Sequence, residues 1–150
     1  MNEIRLRPVT EDELPLLTEI LAELDGNPPF PVEQVREKWL ELRRFPDYVC
    51  YFAESGGEIV GTLCLNVFPV LSGTMHSEAI AEAVVIRPAF RGRGLGRAMM
   101  RAAMDLAAEK GAYKLALSSN LRRLDAHRFY DGMGFTRHGY SFSTDILPHA

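Results

Sequence analysis

Val84-Val85-Ile86-Arg87-Pro88-Ala89-Phe90-Arg91-Gly92-Arg93-Gly94-Leu95-Gly96-Arg97 runs from a branched apolar strand, through a glycine-rich turn, into the start of a helix. Such a turn traps anions. Without Cβ atoms, Gly92, Gly94 and Gly96 let the backbone curl until successive N–H groups converge, and the helix start adds unpaired donors and the positive end of its dipole. A pyrophosphate fits that description. Five arginines and no acid lie between Arg87 and Arg101, in a chain whose formal net charge is −3. A dinucleotide fingerprint G-x-G-x-x-G begun at Gly92 would need glycine where Arg97 stands, and no G-K-[ST] is present for a phosphate-binding P-loop. Glycine and arginine are also what a solvated loop is made of, so the reading depends on what flanks the turn.

Upstream, Ile4 and Leu6 alternate with Arg5 and Arg7 as in a half-buried strand closed by Pro8, and Thr10-Glu11-Asp12-Glu13 offers a capping box. Leu14, Leu17, Leu21 and Leu24 keep helical spacing until Asp25-Gly26-Asn27-Pro28-Pro29. Val32, Val35, Trp39 and Leu42 trace a second helix, making a helical hairpin. Tyr48 to Ala53 and Ile59 to Phe68, joined by Gly56-Gly57, predict an antiparallel strand hairpin, and Ala79 to Ile86 a further strand. Downstream, Gly94 to Lys110 predicts a helix with Leu95, Met99, Ala102 and Leu106 on one face, stopped by Gly111. Tyr113 to Ser118 reads as a strand, Ala126, Phe129, Tyr130 and Met133 as a last helix, and Tyr140 to Ile146 as a closing strand. The order is βααβββαβαβ, an α/β (α+β) pattern with no internal boundary, so residues 1–150 are expected to form one domain.

Of the 150 residues 47% are hydrophobic and 25% charged, as in a globular domain with its own core. The negative balance argues against a surface committed to nucleic acid or to an anionic membrane. No apolar run reaches the roughly 20 residues that span a bilayer, and the first residues lack a signal-peptide core; a cytoplasmic protein is expected. Cys50 and Cys64 lie in apolar surroundings without metal-ligand spacing, which favours buried, reduced thiols. No metal site is expected.

Arg91-Gly92-Arg93-Gly94-Leu95-Gly96 matches the [QR]-x-x-G-x-[GA] motif of the GNAT N-acetyltransferases. Ala126, Phe129-Tyr130 and Gly134-Phe135 match that family's A-x-x-F-Y-x-x-x-G-F pattern further on. The chain therefore resembles this family through its C-terminal half, and in element order through the rest. The resemblance implies one domain with a mixed central sheet of about six to seven strands flanked by about four helices, and acetyl-CoA as cosubstrate. By position it assigns the CoA pyrophosphate to the loop Arg91, Gly92, Arg93, Gly94, Leu95, Gly96 and Arg97. It assigns the pantetheine arm to the backbone of Val84, Val85 and Ile86, and a further cofactor contact to Asn120, which as a bare sequence feature reads equally as a turn residue. The segment Leu117 to Tyr130 is similar to that of small bacterial members, including aminoalkylphosphonate acetyltransferases. Homodimers occur in the family, and nothing in the sequence selects that state.

Moving an acetyl group to a primary amine needs a proton acceptor, because an alkylammonium with a pKa of about 10 is mostly protonated at neutral pH. Glu82 matches the position where relatives place that acid, against the plainer reading of an exposed strand residue like Glu78; His76 is a weaker rival. Tyr130 matches the family's tyrosine, which can protonate the departing thiolate, although its spacing also fits a core stripe. A backbone N–H of Val84 or Val85 can serve the oxyanion. Neither cysteine is near this site in sequence, so direct transfer is expected. The resemblance puts the acceptor walls in Asp25 to Phe30, Trp39 and Asn66 to Ser72; Arg122, Arg123, Asp125 and His127 are within reach of an anionic substrate or the CoA 3′-phosphate, although at a helix start such residues are more often simply solvated. A small-molecule amine is the expected acceptor, a protein lysine or N-terminal amine the alternative. The rival readings are an acyl-CoA sensor or interaction module without turnover and, less in keeping with the acidic balance, a nucleic-acid binder.

Overall fold

The computed structural model describes residues 3–25 and 28–147; Gly26 and Asn27, named above as a helix stop and acceptor wall, lie outside them, as does the side chain of Asp25. The chain falls into two compact units, Met1–Leu117 and Ser118–Ala150.

The first unit is a five-stranded sheet in the order β1-β2-β3-β4-β5: β1 Arg5–Pro8, β2 Tyr48–Ser55, β3 Glu58–Pro69, β4 Ser77–Ile86 and β5 Ala112–Ala116. All neighbours are antiparallel except β4 and β5, which are parallel. Ser55 faces Glu58 across a two-residue loop in which Gly56 (φ 58°) and Gly57 (φ 82°) supply the paired positive φ angles of a tight hairpin turn. The helices are α1 Leu14–Asp25, entered through a short 3-10 turn at Glu11–Glu13, α2 Val32–Leu42 and α3 Leu95–Glu109. Glu13 accepts the Thr10 N–H at 3.0 Å, which is the glutamate half of the expected capping box.

Strand alternation divides the core between two faces. On one, Tyr51, Ala53, Leu63, Leu65 and Val67 pack with Leu95, Met99, Ala103 and Ala107 of α3. On the other, Cys50, Phe52 and Val85 pack with Leu14, Leu17 and Ile20 of α1 and Trp39 of α2. The buried stripe of α3 is rotated from the expected one: Ala103 and Ala107 are its centre, while Ala102 and Leu106 are only half-buried. Small side chains at i and i+4 let the helix axis lie close to the sheet, an advantage that a hydrophobicity pattern does not register.

In the second unit α4 spans Leu124–Gly132. The expected strand Tyr140 to Ile146 is not formed; Tyr140, Phe142 and Ile146 are 93, 92 and 90% exposed, and no ladder pairs this segment among the described residues. Alternation creates a strand only where a neighbour takes up its N–H and C=O groups. The sheet therefore has five strands rather than six to seven. The four helices and the mixed sheet stand as expected. Among the described residues no helix is long and apolar enough to cross a membrane.

Candidate active site

Two departures from regularity mark β4. The first is a bulge: Thr62 pairs with Val85 but Cys64 with Glu82, so β4 carries one residue more than β3 over this stretch, and Ala83 takes a φ of 51°. A positive φ is costly for alanine and is kept only where the surroundings impose it. Gly61 of β3 shows how close those surroundings are, since a Cβ there would stand 2.3 Å from the carbonyl oxygen of Val85. The second departure is the end of the β4–β5 ladder at Ile80 and Ala116. From Glu82 to Ile86, β4 has no partner on that side among the described residues.

The direction of the free groups follows from alternation. Arg87 donates its N–H to Val60 at 2.9 Å, so the polar groups of Arg87 and Val85 point to β3 and those of Val84 and Ile86 point to the open edge. The Ile86 carbonyl accepts from Arg91 Nε at 2.9 Å. Arg91, read from sequence as a cofactor ligand, thus also fastens the loop back to the strand, and it lies 3.8 Å from Glu23 of α1. Arg87 donates to the Ile59 carbonyl at 2.8 Å, and Arg87 and Arg93 lie over the Phe90 ring.

Between strand and helix, Pro88–Phe90 forms one 3-10 turn, and Gly92 (φ 75°) and Gly94 (φ 76°) adopt the left-handed conformation. Gly94 is the N-cap of α3. The first bond of the helix is Ala98 N–H to Gly94 C=O at 3.1 Å, leaving the amides of Leu95 and Gly96 outside its ladder. Gly96 lies in the first turn of α3 and not in the curl itself. The donor set suits a phosphate group, because it combines backbone N–H groups, the N-terminal end of a 15-residue helix and arginine.

Glu82 is exposed on the α1 face of the sheet, where it shares a row with Cys64 and Cys50. The Tyr48 hydroxyl donates to its Oε2, and burial together with this carboxylate pushes the Tyr48 pKa up. Tyr48 was not singled out in the sequence; 34 positions separate it from Glu82, and no local pattern joins them. The comparison residue Glu78 is engaged otherwise, with Lys114 at 3.2 Å and the Tyr113 hydroxyl at 3.1 Å. His76 sits just before β4, its ring against that of Tyr113. Cys64, separated from the site in sequence, stands opposite Glu82, and the adjoining Cys50 sulfur and burial raise its thiol pKa, so little of it is thiolate at neutral pH. It is half-buried rather than fully buried, and both cysteines are free thiols.

Of the expected acceptor wall, Trp39 is 7% exposed and belongs to the core, with Arg43 stacked on its ring, whereas Phe30 is exposed. A cavity of about 210 Å³ between α1 and α2 is lined by Thr18, Leu21, Ala22, Leu24, Phe30 and Val35 among others, but by neither Glu82 nor the loop. It is a gap in the helical hairpin.

In the second unit, the Tyr130 ring meets Phe129 and Phe135 edge-on at 5.1 and 5.5 Å, and burial raises its pKa, keeping the phenol protonated. Asn120 behaves as the turn residue: its Oδ1 accepts the Arg122 N–H at 2.9 Å, and its carbonyl accepts the Arg123 N–H at 3.0 Å and lies 2.8 Å from His127 Nε2. Beside it, the hydroxyl of Ser119 is buried without a hydrogen-bond partner, which is a polar atom suited to a ligand.

A strand unpaired along one edge leads through a left-handed glycine turn into a helix N-terminus, an arrangement whose donors suit an extended phosphate-bearing group. The sequence profile of the acetyltransferase (GNAT) family matches residues 14–135, and the chain belongs to that family. It is 45% identical over 150 residues to an uncharacterized N-acetyltransferase of Bacillus subtilis, covering 97% of this chain and 98% of that one. It is 28% identical to the aminoalkylphosphonate N-acetyltransferase of Salmonella typhimurium, over 95% of this chain and 92% of that one. Among solved structures, a Trypanosoma brucei acetyltransferase superposes with a TM-score of 0.76 at 27% identity, over 96% of this chain and all of the other.

Proposed function

We propose that this chain is an acetyl-CoA-dependent N-acetyltransferase, a single acetyltransferase domain that passes the acetyl group directly to the primary amine of a small molecule. The observation that carries the proposal is the left-handed turn at Gly92 and Gly94 at the mouth of α3, next to the unpaired edge of β4. The family match spanning both units supports one domain.

The loop amides from Gly92 to Arg97, with Arg93 and Arg97, would hold the pyrophosphate. The outward-facing groups of Val84 and Ile86 would pair with the pantetheine arm as an added strand. When bound, acetyl-CoA supplies the activated acyl carbon. Glu82 accepts the ammonium proton directly or through water, its carboxylate oriented by the Tyr48 hydroxyl. The phenol of Tyr130 donates a proton to the departing thiolate. The orphaned Ser119 hydroxyl and the adjoining Asn120 are further cofactor contacts. For the acceptor we favour an amine that carries a phosphonate or phosphate, on the ground of the aminoalkylphosphonate relative.

The test is free-thiol release from acetyl-CoA over a panel of aminoalkylphosphonates, polyamines, amino acids, aminoglycosides and a lysine peptide, with thermal stabilisation by acetyl-CoA recorded in parallel. Release with one small-amine class is the expected result. Release with the peptide alone would replace the acceptor, stabilisation without release from any amine would favour a sensor, and no stabilisation would refute the loop assignment. Gly94→Val should weaken CoA binding by about 100-fold, the worth of two or so charge-assisted hydrogen bonds, as read by calorimetry.

A further inference from the structure

Cys50 and Cys64 are directly opposed in the β2–β3 ladder. Opposed residues of an antiparallel pair come in two kinds, and the hydrogen bonds decide which this is. The carbonyl of Cys50 accepts from the Val9 N–H at 2.9 Å, so the backbone groups of Cys50 face β1 and not β3. That of Asp47, three positions away, accepts from Val67 of β3, as the alternation requires. Cys50 and Cys64 are therefore a non-hydrogen-bonded pair, the kind in which Cα atoms approach to about 4.5 Å and side chains come closest. That separation lies within the range a disulfide spans. Cys50 Sγ lies 3.7 Å from the hydroxyl of Thr62, a buried residue of β3. Cys50 is 5% exposed and Cys64 half-buried, so Cys64 is the more open of the two.

We propose that Cys50 and Cys64 form a redox-modification site, a cross-strand dithiol that a low-molecular-weight disulfide converts into a Cys50–Cys64 disulfide beside Glu82. The small fraction of Cys64 that is ionised, which grows as pH rises, attacks one sulfur of the small disulfide as thiolate, forming a mixed disulfide and expelling one small thiol, so the reaction is slow at neutral pH. Cys50, giving its proton to solvent, then attacks Cys64 Sγ and expels the second. Two protein thiols lose two electrons and two protons, and the small disulfide becomes two thiols. The new bond draws Cβ atoms together by about 1 Å from the usual spacing of an opposed pair. It acts on the two strands that carry Tyr48, two residues before Cys50, and the residue facing Glu82. The expected consequence is a fall in kcat of about tenfold, since a shift of that size at a reacting group is costly; this part rests on the transferase reading, whereas the thiol chemistry does not.

The experiment exposes the native full-length chain to oxidised glutathione and follows intact mass, peptide mapping and kcat. The expected product has lost two hydrogen masses, maps to a Cys50–Cys64 link and is restored by dithiothreitol, while Cys50→Ala stops at the glutathione adduct on Cys64. Should Cys50→Ala fold poorly, Cys64→Ala provides the second control, remaining unmodified in the native state. Two thiols that stay free in the native chain, or a wild-type chain that stops at the adduct, would overturn the site. Complete oxidation with unchanged kcat would overturn its coupling to Glu82. A chain that is inactive even when reduced counts against the transferase reading, and the mass spectra still decide the disulfide.

Discussion

The two units of this chain answer similar sequence patterns in opposite ways. In Met1–Leu117, alternating and helical patterns become strands and helices that bury Phe52, Leu63, Leu65 and Met99 almost completely. Among the described residues of Ser118–Ala150 none is fully buried, and Leu121, Tyr140 and Phe142 are 88% exposed or more. A pattern states which side chains would benefit from burial; a neighbouring surface has to deliver it. The first unit has that surface because β3 and β4 are central strands covered by α3 on one face and by α1 and α2 on the other. The proposed chemistry is divided along the same line, with the glycine turn and Glu82 on the packed scaffold and Tyr130 in the sparsely buried unit.

The largest effect that bears on this division is expected from Tyr130→Phe. If the second unit contributes an acid to the reaction, kcat falls by about 100-fold while stabilisation by acetyl-CoA is kept, in line with what proton transfer contributes. Glu82→Gln should cost about tenfold at neutral pH and recover in part as pH rises, because more of the amine is then already deprotonated. Unchanged kcat in Tyr130→Phe would confine the catalytic groups to the first unit. Stopped-flow thiol release from pH 6.5 to about 9.5 separates the two variants.

What was legible in the sequence follows the same distinction between local and imposed features. The glycine turn was legible because left-handed φ angles and a helix start are properties of a few consecutive residues, as was the hairpin at Gly56-Gly57. The bulge was not, because Ala83 carries no mark of it and the residues across it, Thr62 to Cys64, are ordinary strand residues; Gly61, a glycine inside the strand, signals only that the backbone of Val85 comes close. The Tyr48–Glu82 and Cys64–Glu82 juxtapositions are products of strand register. Register could not be read until the bulge was known. The closing strand failed for the complementary reason: Tyr140 to Ile146 has the correct alternation and no ladder to join among the described residues.

A second pair of substitutions measures that contrast as stability. Gly61→Val places a side chain where a Cβ alone would meet the Val85 carbonyl at 2.3 Å, so the approach of β3 to β4 has to be rebuilt. A loss of about 3 kcal/mol is expected. Phe142→Ser removes a ring that is 92% exposed and should change stability by no more than about 0.5 kcal/mol. Urea unfolding of both variants reads the difference. A Phe142→Ser loss comparable with that of Gly61→Val would mean that the C-terminal segment is buried in solution.

The smallest expected effect concerns charge. At the edge of the first unit, Arg7 donates to Glu13 and to Glu54, in each case at 2.7 Å, joining β1 to the entry of α1 and to β2. The hydrogen bonds from Arg7 hold the Glu13 pKa down at about 2, against 4.5 for the free group. A carboxylate whose pKa is depressed by folding stabilises the native state fully above its unfolded value, and that contribution drains away as pH falls through the folded one. Stability should therefore decline between about pH 4.5 and pH 2, and Glu13→Gln should be less stable at neutral pH yet flatter across that interval. In the second unit Asp131 is lowered by Arg137 in the same direction, but both partners are largely exposed, so solvent screens the pair. Asp131→Asn should leave the acid limb of the unfolding curve where it was. A shift for Asp131→Asn as large as that for Glu13→Gln would show that the polar contacts of the second unit are as well shielded as those of the first, and the contrast between the units would then be confined to their apolar side chains.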